Sequence, residues 1–191
     1  MSSKSAILQA IRASKPGPRP LPVLPPDPPV DERWEAQFRE VLAASKTKFI
    51  DPEDLERYVR ASGAKTIVST DPSIAGNLDI ASIEDPLQLA GVDLAVLRAR
   101  IGVAENGAMW VSEREMQHRA LPFITQHLIL VLDREQLVGT MHQAYRRIDI
   151  AETGFGVFIA GPSKTADIEQ SLVIGAHGPR SLGVCLVRGA G

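Results

Sequence analysis

Eight prolines fall between Ser14 and Val30 (Pro16, Pro18, Pro20, Pro22, Pro25, Pro26, Pro28 and Pro29). No helix or sheet interior tolerates that density, because each proline lacks an N–H and fixes its own φ. The segment is expected to be extended, polyproline-like backbone that acts as a semi-rigid spacer without a ligand of its own. It divides the chain into an appendage, residues 1–30, and a folded domain, residues 31–191. Within the appendage, Ile7, Leu8 and Ile11 share one face of a helix over Ser3–Ala13. So short a helix is marginal alone in water, so it is expected to dock on its own domain or on another chain.

The domain reads as strands alternating with helices, which specifies an α/β sheet. Asp31 caps a helix to about Ser45, with Trp34, Phe38, Val41 and Leu42 inward. Asp51-Pro52-Glu53-Asp54 starts another, with Leu55, Tyr58 and Val59 buried and Gly63 at its end. Strands are expected at Lys65–Ser69, Leu78–Ser82, Leu94–Leu97, Ile101–Ala104, Ala108–Ser112, His127–Leu132, Gly156–Ala160 and Leu182–Val187. Asp85-Pro86 opens a turn or short helix, and Asp133 caps a helix to about Arg147 carrying Leu137, Val138, Met141 and Tyr145 on one face. Asn106-Gly107 predicts a tight hairpin, hence an antiparallel component in a mostly parallel sheet.

Several function classes are set aside by composition. The net charge of −2 and the 5% aromatic content give no electrostatic footprint or stacking surface for nucleic acid. The most apolar run, Leu128–Leu132, is far short of the ~20 residues of a membrane span. One cysteine, Cys185, can form no internal disulfide and hold no iron–sulfur cluster; in its apolar run it reads as a buried strand residue. With no secretory leader expected, this places the protein in the cytoplasm. His118, His127, His142 and His177 lack metal-ligand spacing.

The densest chemistry lies near the C-terminus. Gly161-Pro162-Ser163-Lys164-Thr165-Ala166-Asp167-Ile168-Glu169 follows an expected strand and leads into a helix or turn. Unpaired N–H groups at Ser163–Thr165, beside the Lys164 ammonium, are the recipe for an anion site. Asp167 or Glu169 could orient the lysine. The spacing is not that of a phosphate-binding P-loop. Gly175-Ala176-His177-Gly178-Pro179-Arg180 follows, with His177 as a candidate acid/base and Arg180 as a carboxylate fork.

These two stretches resemble the C-terminal signature of the lactate-utilization protein C family, the LUD-domain proteins, whose pattern is G-P-S-[RK]-T-A-D-I-E and then G-x-H-G-P. Every fixed position matches. Ala104–Trp110 is similar to the family's A-E-T-G-T motif, departing at Asn106 and Ala108, and Ile7-Leu8…Ile11-Arg12 is similar to its N-terminal helix. The resemblance implies a fold like that of the sugar-phosphate isomerase, glucosamine-phosphate deaminase and CoA-transferase group. It also implies a place beside two iron–sulfur partner proteins in a system that oxidises L-lactate to pyruvate. This chain would be the member without a cluster, contributing assembly, substrate positioning or a catalytic step. In that setting Ser163, Lys164, Thr165 and Arg180 would bind the small carboxylate and His177 would take the hydroxyl proton. A rival reading takes Glu105, in a Glu-Asn-Gly turn similar to that of CoA-transferases, as a nucleophile toward an acyl-CoA thioester. A third reads the chain as an assembly module that reaches partners through its N-terminal helix.

Overall fold

The apolar runs at 127–133 and 181–187 lie side by side in the middle of a five-stranded parallel sheet. The computed structural model describes residues 3–20, 22–23, 26, 31, 33–165 and 173–189. In chain order the first half comprises α1 (Ser3–Ala13), α2 (Arg33–Ala44), β1 (Lys48–Ile50), α3 (Leu55–Ala61), β2 (Ile67–Ser69), β3 (Leu94–Ala99), β4 (Ile101–Val103) and β5 (Met109–Ser112). The second half comprises α4 (Glu113–Met116), α5 (Leu121–Ile124), β6 (His127–Asp133), β7 (Leu137–Val138), α6 (Met141–Arg147), α7 (Ile150–Thr153), β8 (Gly156–Ile159), β9 (Lys164–Thr165), β10 (Val173–Ile174) and β11 (Ser181–Val187).

The parallel sheet has the order β1-β11-β6-β3-β2. Both of its faces are buried, which is why its central strands are apolar almost without interruption. One face carries Leu97, Leu130 and Val184, packed against Phe38 and Leu42 of α2 and Met109 and Val111 of β5. The other carries Val96, Ile129 and Cys185, packed against Leu55 and Val59 of α3. Each fully buried leucine contributes about 1.5–3 kcal/mol relative to exposure. A second, four-stranded sheet, β7-β4-β5-β8, mixes parallel and antiparallel pairs. Its outer side is closed by Ala144 of α6 on Ile101, Val103 and Val138. The α/β class read from the sequence is therefore the class observed, with its antiparallel pairs sorted into the second sheet and the β9–β10 ribbon.

Three expected elements are different. Residues 78–82 form no strand; Asp79 accepts the Ala81 N–H at 2.9 Å and starts a 3-10 turn at Ile80–Ser82. Asp51 gives no side-chain cap to the helix that follows it. The single helix from Asp133 to Arg147 is replaced by a 3-10 turn, β7 and α6. Val103 on β4 offers an open ladder, and Val138 pairs with it. Helix formation then restarts at Thr140, whose Oγ1 accepts the Gln143 N–H at 3.3 Å while Gln143 Oε1 accepts the Thr140 N–H at 3.0 Å. That Thr-x-x-Gln capping box is legible in the sequence. Tyr145, expected on one face with Leu137, Val138 and Met141, is 53% exposed.

Helix α1 forms as expected, but no residue of it is buried, and Ile7 and Ile11 are each 60% exposed. Its apolar face is therefore not covered by this domain.

Cys185 is fully buried. Burial, with help from the carboxylates of Asp71, Asp51 and Glu53, pushes its thiol up to about 11. Native protein at neutral pH is expected to resist a thiol-specific disulfide reagent, and the same protein in denaturant to react with one equivalent. Rapid native labelling would contradict this packing.

Candidate functional site

The C-terminal signature folds as a ribbon laid against the amino ends of β6 and β11. Strand β8 exits through Gly161, at φ +140°, where a Cβ would lie 2.9 Å from Ser45 Oγ at the end of α2. Ser163 donates its N–H to Pro179 O at 2.9 Å, and its own carbonyl accepts the Gly175 N–H at 3.0 Å. Lys164 and Thr165 then pair antiparallel with Ile174 and Val173. Gly178 sits on Ser163, and a Cβ there would come within 3.1 Å of Ser163 Cβ. Gly175, at φ +83°, folds back on Arg180, whose N–H donates to Gln126 O at 2.8 Å. The described parts of the two halves of the signature are thus one unit anchored to the residue before β6.

This geometry corrects one premise. Lys164–Thr165 is a strand, not a helix start, because the chain finds a ladder partner at 173–174. The Ser163 amide is committed to Pro179 and is not free for an anion. The ribbon does bring Ser163 beside the His177–Gly178 turn, and Lys164, His177 and Arg180 are all exposed. Asp167 and Glu169 lie outside the described residues.

One residue beyond the ribbon's anchor at Gln126 and Arg180, the amino ends of the parallel strands border a groove of about 380 Å³, walled by Lys48, Tyr58 and Ser62 and floored by Leu94, Ile129 and Gly183. His127 and Ser181 face each other across it, with Nδ1 and Oγ 2.8 Å apart. Register explains the meeting: Ser181, His127 and Leu94 occupy one row across β11, β6 and β3, and Lys48 pairs with Gly183. Asp93 stands near His127. The Thr66 and Lys65 N–H groups, hydrogen-bonded to its carboxyl, hold it below the ordinary carboxylate range despite partial desolvation. Lys48, His127 and Ser181 were not among the residues singled out by sequence. The signal available was positional: a polar residue heads each central apolar run, and parallel pairing gathers such heads at one end.

Glu105 belongs to a different neighbourhood. Ala104 and Glu105 donate their N–H groups to Val138 O and Gly139 O at 2.8 and 3.1 Å. The Glu105 Oε1 accepts the Met141 N–H at 2.7 Å, at the start of α6. The turn is not a two-residue hairpin. Gly107 has φ +70°, but Asn106 does not adopt positive φ and instead accepts the Ala108 N–H through its side chain at 3.0 Å. The turn must curl, because Leu42 of α2 lies 2.9 Å from the place where a Gly107 Cβ would be. None of these hydrogen bonds reaches the Ser163–Arg180 ribbon. Among the described residues, no group of three or more His, Cys, Asp or Glu is placed to hold a metal ion. No described helix is long and apolar enough to cross a membrane.

The LUD domain family profile matches residues 41–187. Lactate utilization protein C of Bacillus pumilus (strain SAFR-032) is 36% identical over 106 residues, covering 52% of this chain and 44% of that protein. Lactate utilization protein C of Geobacillus kaustophilus (strain HTA426) is 37% identical over 101 residues, covering 50% of this chain and 41% of that protein. The chain thus spans less than half the length of these curated relatives. A crystal structure of a DUF162 family protein from Deinococcus radiodurans superposes with a TM-score of 0.60 at 17% identity, covering 83% of this chain and 99% of that one. That likeness carries the fold alone.

Because Glu105 caps α6, Glu105→Ala is expected to lower stability by about 0.5–2 kcal/mol in urea denaturation. Glu105→Gln, which keeps an acceptor, should lose less. Equal stability of the alanine variant and the parent would remove this structural role.

Proposed function

This chain belongs to the LUD domain family, and we propose that it serves in lactate utilization, as the cluster-free subunit of a cytoplasmic iron–sulfur system that oxidises L-lactate to pyruvate. Supporting this are the relatives named lactate utilization protein C and the complete C-terminal signature. The kinship with the sugar-phosphate isomerase and CoA-transferase fold group belongs to the same proposal. The observation that carries the chemical reading is the anchor of the signature ribbon, the Arg180 N–H on Gln126 O, one residue before the His127–Ser181 pair that lines the groove.

A short hydroxy-carboxylate suits such a place. Its carboxylate would pair with Lys48, Lys164 or Arg180, in the order that the ligand's depth in the groove dictates. Its methyl group would rest on the apolar floor. Ser163 and Thr165 would frame the entrance. His177, or His127 relayed through Ser181, would accept the hydroxyl proton. Converting lactate to pyruvate releases two electrons and two protons; the electrons would pass to iron–sulfur clusters in partner subunits, since this chain has a single buried thiol. The acyl-transfer reading of Glu105 is not adopted, because its carboxylate is already engaged by the Met141 N–H.

Isothermal titration of the full chain, alone and mixed with its iron–sulfur partners, tests this with L-lactate and pyruvate. Saturable binding is expected in at least one setting, weakened tenfold or more by His127→Ala and by Lys164→Ala. No heat in either setting, or binding indifferent to both substitutions, would contradict the proposal.

A further inference from the structure

The opposite end of the parallel sheet carries its own chemistry. At the carboxyl ends of β3, β6 and β11 lies a crevice of about 460 Å³, floored in part by Val131 and Val187. Crevices outside the carboxyl ends of parallel strands are where open α/β sheets most often take ligands. Arg98, Arg100 and Arg114 all line this one. We propose that it binds a small, multiply charged oxyanion, phosphoryl or polycarboxylate, through these three guanidinium groups.

The three arginines are placed by independent parts of the fold. Arg98 projects from β3 in the row of Val131 and Cys185. Its Nε donates to Asp71 Oδ2 at 2.8 Å, and the Asp71 side chain is 1% exposed. Burial pushes the Asp71 carboxyl up, but hydrogen bonds from Ser73 and Arg98 outweigh it and hold it below the usual carboxylate range. The ion pair therefore fixes one end of a guanidinium whose side chain remains 42% exposed. Arg100 sits where β3 turns into β4; its nearest acid is Glu115, at 3.6 Å, too far for a hydrogen bond. Arg114, on α4, has no ion pair or hydrogen bond among the described residues and is exposed.

The acids at the crevice are engaged with backbone. Glu115 Oε2 accepts from the Ser112 N–H and hydroxyl in a capping box, and Asp133 Oδ1 accepts the Glu135 N–H at 3.0 Å. Guanidinium forks match the oxygen edges of phosphates and carboxylates, and here Arg114 is unpaired among the described residues and Arg100 has only the long contact to Glu115. Asp71, paired with Arg98, and Asp133, which also lines the crevice, offset part of the positive charge. The volume exceeds that of a bare phosphate and leaves room beside the anion for a small organic body resting on the two valines. Glu115 Oε1 lies 3.6 Å from Arg100 Nη1, so this carboxylate opposes binding.

The experiment is isothermal titration of the full chain with inorganic pyrophosphate, inorganic phosphate and citrate, at constant ionic strength set by chloride. Pyrophosphate or citrate is expected to bind at one site, and which of the two binds more tightly assigns the class. Arg114→Gln alone should weaken that binding several-fold and Arg100→Gln/Arg114→Gln at least tenfold, with unchanged thermal melts in the absence of anion. Glu115→Gln keeps the cap and should tighten binding, whereas Arg19→Gln, a charge loss in the proline segment, should leave it alone. Equal affinity for the double variant and the parent, or no saturable binding of any of the three anions, overturns the proposal. Neither result bears on the lactate reading, which concerns the other end of the sheet.

Discussion

Strand β6 can be buried on both faces only because β3 and β11 satisfy its backbone on both edges, in parallel and over nearly its full length. Most of the structure follows from that pairing. Parallel neighbours need crossovers, so the segments between β3, β6 and β11 must leave one end of the sheet and re-enter at the other. Strand heads accordingly gather at one end, where His127 meets Ser181, and strand tails at the other, where Arg98 and Asp133 lie. The middle is apolar and inert, as the protonated Cys185 illustrates. Among the described residues, the polar side chains of these central strands thereby gather at the two ends.

Close approach does the remaining positioning. The second sheet packs so tightly on the first that a Cβ on Gly102 would lie 2.4 Å from a Leu132 methyl. The same argument holds where the signature meets the domain, at Gly161 against Ser45. Such contacts convert short motifs into fixed shapes, and they explain why the glycines of the signature sit where any side chain would displace the ribbon.

Much of this was legible in the sequence. Strands β3, β6, β8 and β11 stand within a residue or two of where their apolar runs placed them, because a buried strand leaves an uninterrupted apolar trace. Helix α2 did likewise through Phe38 and Leu42. The segment after Asp133 was misread because Leu137, Val138 and Met141 fit a helical stripe, while the pull of an open ladder on β4 is non-local and leaves no trace in the segment itself. The signature was recognisable as important, but its shape was not: a ribbon depends on a partner at Val173–Ile174 that spacing does not reveal. The pairing of His127 with Ser181 was hidden for the same reason, since it exists only once two strands 54 residues apart share a register.

The central claim is that a small carboxylate is received at the amino ends of the parallel strands, beside the signature ribbon. Backbone amide chemical shifts of the uniformly ¹⁵N-labelled chain, followed by NMR as L-lactate or pyruvate is added, test it most directly. The account predicts saturable shifts clustered at Lys48, His127, Ser163–Lys164 and His177–Ser181. Shifts confined to the carboxyl ends around Arg98 and Arg114, or spread evenly over the surface, would contradict it.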